Sequence, residues 1–186
     1  MQSEIVISGF GGQGALFAGQ ALAYAGLNEG KHVTWLPSYG PEMRGGTAHC
    51  IVIVSDDPIG SPVIRNPKAA LVMNSPSMEK YEPLVKPDGL LVVNASMVAR
   101  PSERSDIKTI AVPANDLAEE VGDIRMTNVV MLGALLSALP VVSLEAVDKA
   151  LEDNLPSRHR DLLAANIKAL RCGAQAASEQ FAPSIK

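Results

Sequence analysis

Short apolar runs rich in Val, Ile and Leu recur along the first two thirds of the chain, separated by loops and helix-like stretches. Six of them have the length and composition of β-strands: residues 4–8, 31–36, 47–55, 69–73, 89–94 and 107–112. Residues 15–27 are rich in Ala and Leu and predict a helix between the first two strands, ended by Gly30. A strand–helix–strand unit of this kind predicts two parallel strands.

The last third of the chain is predicted to be helical, over residues 115–121, 128–139, 143–155 and 157–178. The second of these segments is apolar on every face, which predicts burial in a core or an interface. Ser143 is the expected N-cap of the third segment, and Ser75 that of a short helix earlier in the chain. Together the patterns predict one α/β domain over residues 1–186. We expect a Rossmann-like, mostly parallel twisted sheet with helices on both faces and a helical C-terminal portion.

Composition excludes several classes of function. The 186 residues carry a net charge of −4 and only 4% aromatic residues, so neither a basic nucleic-acid surface nor a base-stacking platform is present. No apolar run reaches the roughly 20 residues of a membrane helix, and no secretory signal is seen at Met1. We therefore expect a soluble, cytoplasmic protein. Two cysteines are too few for an iron–sulfur cluster, and the three histidines have no metal-ligand spacing.

A glycine-rich turn after the first strand is the first candidate binding site. Gly9, Gly11 and Gly14 match the pattern G-x-G-x-x-G between a strand and a helix, with Gly12 and Gln13 inside it. Glycines allow a tight turn, and the free N–H groups at a helix start favour an anion such as a phosphate. We predict that the backbone of residues 11–14 donates to an anion. A tight turn that binds nothing is the alternative.

Two familiar nucleotide sites fit this turn poorly. A P-loop requires Lys and then Ser or Thr after its last glycine, whereas Ala15 and Leu16 follow Gly14. An NAD site usually has an acid at the end of the second strand, but that predicted strand ends at Leu36 and Pro37.

The segment after the second strand is the second candidate. Residues 37–46 hold two prolines and three glycines, so we expect an irregular loop at the same edge of the sheet as the glycine turn. Ser38 and Tyr39 supply hydroxyl groups, and Arg44 supplies a guanidinium that can bind a phosphate or carboxylate. A surface ion pair of Arg44 with Glu42 is the alternative.

The spelling of these segments resembles a known family. GFGGQG (residues 9–14) followed by PSYGPEMRGG (residues 37–46) resembles the gamma subunit of 2-oxoacid:ferredoxin oxidoreductases. NVVMLGAL and NIKALRCG, at residues 128–135 and 166–173, resemble helical elements of the same subunit. The resemblance covers nearly the whole chain. The loop is most similar to the 2-oxoglutarate branch, although 2-oxoisovalerate and pyruvate enzymes have related loops.

The resemblance implies a role inside a larger enzyme. The family decarboxylates a 2-oxoacid on thiamine diphosphate, passes electrons through iron–sulfur clusters to ferredoxin and transfers the acyl group to coenzyme A. It implies that thiamine diphosphate, Mg and the clusters lie on alpha and beta partner subunits, with a delta subunit left open. The gamma subunit contacts coenzyme A through the glycine turn and the following loop. The isolated chain is then expected to be inactive, and its homodimerisation stays open.

Two other functions remain open from the sequence: a free-standing dinucleotide-binding module or small oxidoreductase, and a purely architectural subunit.

Other reactive residues have structural explanations. His49 and Cys50 are neighbours in a strand and should face opposite sides, which excludes a nucleophilic pair. Asp56 and Asp57 are expected in a turn rather than at a metal.

Overall fold

The computed structural model describes residues 1–39 and 47–180. Its strands are β1 (Gln2–Phe10), β2 (His32–Tyr39), β3 (Thr47–Ser55), β4 (Ala69–Val72), β5 (Leu90–Asn94) and β6 (Lys108–Val112). Its α-helices are α1 (Ala15–Asn28), α2 (Ser75–Tyr81), α3 (Ala114–Val121), α4 (Thr127–Ala138), α5 (Leu144–Asn154) and α6 (Leu163–Glu179).

The six strands form one mixed, mostly parallel sheet in the order β2-β3-β1-β4-β5-β6. β1, β4, β5 and β6 are parallel neighbours, whereas β3 is antiparallel to both β1 and β2. The predicted α/β fold with a helical C-terminal portion is confirmed. β1 and β2 run in the same direction, as expected, but they are not neighbours, because β3 lies between them. The next strand along the chain pairs most easily in the antiparallel sense after a short connection, and β3 follows β2 in this way.

β2 is longer than the sequence predicted. Pro37 seemed to end the strand, but the strand continues to Tyr39, and Pro37 lies opposite Cys50 of β3. Among the described strands, β2 lies at the edge of the sheet with β3 as its one neighbour. Proline is tolerated at an edge because its missing N–H can face away from the sheet.

The two faces of the sheet bury different clusters. The larger cluster lies under α1 and α4 and includes Ile5, Ile7 and Cys50, all fully buried. The smaller cluster includes Val6, Met78 and Tyr81 and lies under α2. His49 and Cys50 face opposite sides, as predicted: the His49 ring lies 5.7 Å from that of Tyr81, while the Cys50 thiol lies against the backbone of α1.

α4 and α6 cross at two glycines. A Cβ atom on Gly133 would lie 2.0 Å from the carbonyl oxygen of Leu170, and one on Gly173 would lie 1.8 Å from that of Val130. The two helix backbones are therefore in direct contact, which only glycine permits. This contact explains why α4 is buried on nearly every face.

Helix starts agree with the sequence in part. Ser143 caps α5 as predicted, by accepting a hydrogen bond from the Ala146 N–H. The prediction for Ser75 was wrong, since Asn74 caps α2 through the Ser77 N–H at 2.9 Å. The helix expected over residues 157–178 begins as a 3₁₀ turn at Ser157–Leu162 and becomes α-helical only at Leu163. Within the described ranges, no helix has the length and apolar composition needed to cross a membrane.

Candidate functional site: the glycine turn and its cleft

The glycine turn joins the end of β1 to the start of α1 at the carboxyl edge of the parallel strands. Gly12 and Gly14 have φ values of 101° and 77°, which non-glycine residues rarely adopt. A Cβ atom on Gly12 would meet no other atom within 4 Å, so the backbone here faces open space. The turn is therefore accessible to a ligand at Gly12.

The turn uses one of its N–H groups internally. The Gln13 N–H donates to the Phe10 carbonyl at 3.0 Å, which closes the turn. Among the described residues, the N–H groups of Gly11, Gly12 and Gly14 donate to no backbone acceptor, and the first turn of α1 adds the unpaired N–H groups of any helix start. The available donors are thus those of the glycines and of the helix, and not the backbone of Gln13.

The Gln13 side chain also turns inward. Its Oε1 accepts from the Phe10 N–H at 2.6 Å and from the Asn74 Nδ2 at 2.9 Å. A Cβ atom on Gly9 would lie 2.8 Å from this Oε1 and 3.2 Å from the Met73 Cβ. Gly9 therefore leaves room beneath the turn for the folded-back Gln13, rather than presenting a surface to a ligand.

Gly14 is tied to α4. Its carbonyl accepts from the Asn128 Nδ2 at 3.1 Å, and a Cβ atom on Gly14 would lie 2.4 Å from the same nitrogen. Asn128 is only 4% exposed, at the start of a mostly apolar helix. This contact fixes the start of α1 against the C-terminal helices.

A cleft of about 250 Å³ opens beside the turn. Its wall combines turn residues with the residue after β4, one residue of α3, a 3₁₀ turn at Ile124–Met126 and the start of α4: Gly12, Gln13, Gly14, Met73, Asn115, Ile124, Arg125 and Thr127. Free N–H groups and a guanidinium on one wall suit an anionic ligand, since charge-assisted hydrogen bonds to an oxyanion are the strong ones.

Arg125 supplies a positive charge to this cleft. Its side chain is 63% exposed, and its Nε and Nη2 both contact the Asp123 carboxylate, at distances of 2.5 to 3.0 Å. The hydrogen bonds from Arg125 hold the pKa of Asp123 below its ordinary range. Asp123 thereby fixes the direction of the guanidinium while leaving Nη1 available to a ligand.

Of the residues predicted from the second segment, Ser38 lies apart from the cleft. Ser38 is exposed in β2 and pairs with His49, and β3 separates β2 from the glycine turn. Ser38 is not among the residues that line the cleft. Tyr39 ends β2, and Arg44 lies outside the described residues. Sequence reasoning missed Asn115 and Arg125, which are about a hundred residues from the turn and have no local motif around them.

Cysteine chemistry is absent from this cleft. Burial raises the pKa of the Cys50 thiol to about 12, and its Sγ donates to the Ala15 carbonyl. Such a thiol is inert at neutral pH.

In the part of the chain that the structure describes, no group of three or more His, Cys, Asp or Glu side chains could hold a metal ion. Asp56 forms an ion pair with Lys31 at 2.9 Å.

Comparison with known proteins identifies the family of this chain. A family model described as pyruvate ferredoxin/flavodoxin oxidoreductase matches residues 4–176. The chain belongs to this family. The 2-oxoglutarate synthase subunit KorC of Methanothermobacter marburgensis is 37% identical over 163 residues, which cover 84% of this chain and 88% of that subunit. The ketoisovalerate oxidoreductase subunit VorA of the same organism is 35% identical over 173 residues, or 92% of this chain. The resemblance to the gamma subunit is thus confirmed.

Solved structures of the family have the same fold. The gamma subunit of a keto/oxoacid ferredoxin oxidoreductase from Geobacter sulfurreducens has a TM-score of 0.82 and 32% identity, covering 95% of this chain and 99% of that one. The 2-oxoglutarate:ferredoxin oxidoreductase of Magnetococcus marinus has a TM-score of 0.87 at 23% identity, and this chain covers 31% of it. This chain likewise spans only 36% of the VorA subunit. The same domain therefore occurs both alone and within longer polypeptides.

Proposed function

We propose that this chain is the gamma-type subunit of a 2-oxoacid:ferredoxin oxidoreductase, with 2-oxoglutarate as its 2-oxoacid. The observation that carries the proposal is the family match across residues 4–176, joined by 88% coverage of a 2-oxoglutarate synthase subunit. The complex would oxidise the 2-oxoacid to CO₂ and an acyl group on coenzyme A, while ferredoxin takes the two electrons. Thiamine diphosphate, Mg and iron–sulfur clusters are proposed to lie on alpha and beta partner subunits, with a delta subunit left open.

The role proposed for this chain is contact with coenzyme A. The cleft offers free glycine N–H groups, a helix start and the Arg125 guanidinium, which suit the phosphates of that molecule. About 250 Å³ is too small for a whole coenzyme A, so the cleft would hold one phosphate-bearing segment and partner subunits would enclose the rest. The Magnetococcus marinus structure contains 2-oxoglutarate, coenzyme A and succinyl-CoA, which names the compounds to test.

Arg44 keeps its proposed role as a charge partner of the same ligand. A charge-assisted hydrogen bond contributes about 1.5–3 kcal/mol, so Arg44→Ala should raise the KM of the complex for coenzyme A by roughly 10–100-fold. Steady-state assays of the purified complex measure this constant beside the KM for the 2-oxoacid, which should not change. An unaltered KM for coenzyme A would remove Arg44 from the site.

A purely architectural subunit is the second candidate, and one observation favours it. The Gln13 side chain and the Gly14 carbonyl both bind within the chain, as they would in a turn with only a structural task. This candidate predicts that Arg44→Ala and Arg125→Ala impair assembly and leave the KM for coenzyme A unchanged. Size-exclusion chromatography of each variant complex separates the two functions.

Purification of the tagged chain from its own host tests the subunit assignment itself. Iron, thiamine diphosphate and co-purifying polypeptides are measured in the same sample. Stoichiometric iron and thiamine with two or three partner chains support the proposal, because two cysteines cannot ligate a cluster that needs about four thiolates. A protein of 19.6 kDa that purifies without iron, thiamine diphosphate or partner chains but retains NADH fluorescence would instead favour a free-standing dinucleotide-binding module.

A further inference from the structure

A side chain, and not only the backbone, holds the glycine turn in shape. Gln13 Oε1 accepts from the Phe10 N–H at 2.6 Å and from the Asn74 Nδ2 at 2.9 Å. Phe10 ends β1, and Asn74 follows β4, the parallel neighbour of β1. One carboxamide oxygen thus joins the ends of two adjacent strands directly beneath the turn.

Asn74 is itself fixed in orientation. It is 1% exposed, and its Oδ1 accepts from the Ser77 N–H at 2.9 Å to cap α2. Because the oxygen caps the helix, the Nδ2 must be the atom that faces Gln13. This nitrogen can only donate, so residue 13 must supply an acceptor. Glutamine meets that need without adding charge beside the cleft.

The hydrogen bonds from Phe10 and Asn74 to the Gln13 side chain, called the Gln13 lock below, determine which N–H donors of the turn remain for a ligand. The Phe10 N–H is bound by the Gln13 side chain, and the Gln13 N–H by the Phe10 carbonyl. The remaining turn donors are those of Gly11, Gly12 and Gly14, at positions where glycine gives the backbone wide freedom. A turn this rich in glycine would otherwise lose much entropy when it binds, so prior fixation increases affinity.

We propose that Gln13 and Asn74 are positioning residues that hold the glycine turn in the conformation that binds an anionic ligand. The inference rests on the proposed contact with coenzyme A and adds the residues on which that contact depends. Gly9 supports the same arrangement by leaving room for the Gln13 side chain, since a Cβ atom there would lie 2.8 Å from Gln13 Oε1. Neither positioning residue needs to touch the ligand through its side-chain oxygen.

The test uses three substitutions in the intact complex. Gln13→Met keeps the side-chain length but removes the acceptor. Asn74→Asp keeps the α2 cap but removes the donor to Gln13. Gln13→Glu keeps an acceptor for both hydrogen bonds and adds a negative charge. The matched control is Gln20→Met in the following helix α1, because Gln20 lies outside the cleft and its side chain donates a long 3.5 Å hydrogen bond to Tyr24.

Two readouts are needed: hydrogen exchange of peptides spanning residues 9–18 without ligand, and the separate KM values for coenzyme A and the 2-oxoacid. Gln13→Met and Asn74→Asp should speed exchange in the turn and raise the KM for coenzyme A by about tenfold, with kcat and the other KM unchanged. Gln13→Glu should keep the slow exchange of the wild type yet still raise the KM for coenzyme A through repulsion. Gln20→Met should change neither readout.

Each contrary result overturns the inference in a recognisable way. If the turn of Gln13→Met exchanges hydrogen at the same rate as the wild type, the Gln13 side chain does not hold the turn. Faster exchange with an unchanged KM for coenzyme A would show that the Gln13 lock is purely structural. If coenzyme A fails to slow exchange of the turn even in the wild-type complex, the proposed function fails as well. Faster exchange in Gln13→Met would then still identify the Gln13 lock, so the two failures remain distinct.

Discussion

Glycine is required for opposite structural reasons in two regions of this protein, the turn after β1 and the crossing of α4 with α6. At Gly12 a Cβ atom would meet nothing within 4 Å, and the φ of 101° is what demands glycine. At Gly133 and Gly173 a Cβ atom would collide with a backbone carbonyl at 2.0 and 1.8 Å. The first region leaves open space beside the backbone, whereas the second leaves no space between two helices.

This difference separates an open turn from tight packing among the segments that resemble the family. The segments at residues 128–135 and 166–173 also resemble the gamma subunit, yet their glycines lie in a helix crossing. A resemblance alone gives both segments equal weight. The surroundings of the missing Cβ decide which glycine can face a ligand and which can only pack.

The largest effect is expected at the helix crossing. Gly173→Ala or Gly133→Ala forces two helix backbones apart, and overpacking of this kind costs about 3 kcal/mol or more. Gly26→Ala in α1 is the matched control, since its added methyl would meet side chains and no backbone atom of another element, with Val33 at 2.7 Å and Val54 at 3.5 Å. Thermal or urea denaturation should show a much larger loss for the crossing variants. Equal losses in all three would mean that the crossing is not the tight contact described.

A moderate effect on stability, with a selective effect on binding, is expected at Gly12. Alanine at a positive φ costs about 1–2 kcal/mol, and Gly30→Ala should cost a similar amount because its φ is 73° and its surroundings are also open. Gly30 lies at the far end of α1. Only Gly12→Ala should raise the KM for coenzyme A. A matched rise in Gly30→Ala would assign the effect to helix α1 as a whole.

The smallest effect on stability is expected at Arg125. Its ion pair with Asp123 lies at the surface, where such pairs contribute little, so Arg125→Ala should leave the melting temperature nearly unchanged. Its KM for coenzyme A should nevertheless rise by about tenfold. Arg125→Lys keeps the charge but loses the two parallel N–H donors of the guanidinium. Its KM for coenzyme A should lie between those of the wild type and Arg125→Ala. A lower melting temperature with an unchanged KM would give Arg125 a structural task instead.

The same variant tests the electrostatics of the cleft. Arg125 depresses the pKa of Asp123, so the pair stabilises the fold above the ordinary aspartate pKa, and this contribution is lost as pH falls. In Arg125→Ala the carboxyl should titrate closer to the ordinary value of 3.8. Carbon-detected NMR of the Asp123 carboxyl measures the change. An unchanged titration would show that the two side chains are not paired in solution.

Most of the fold could be predicted because periodicity and turn residues act locally. The six strands, the glycine turn and the Ser143 cap all followed from neighbouring residues. The insertion of β3 between β1 and β2 could not, since pairing order depends on contacts between distant segments. The continuation of β2 through Pro37 depends on its edge position, which the local pattern does not reveal.

The candidate site was predictable only at the turn itself. Gln13 lies in the predicted turn, but its inward side chain depends on Asn74, about sixty residues away. Asn115 and Arg125 reach the cleft only because β6 and α3 bring them to the same edge of the sheet. Asn74 was also missed as a cap, because Ser75 beside it has the same capping chemistry.

Hydrogen exchange of the purified complex with and without coenzyme A tests the central claim most directly. Coenzyme A should slow exchange at residues 11–16 and at Arg125, while amides at the α4–α6 crossing stay slow in both states. Protection confined to partner subunits, with unchanged exchange throughout the turn, would contradict the claim that this chain contacts the coenzyme.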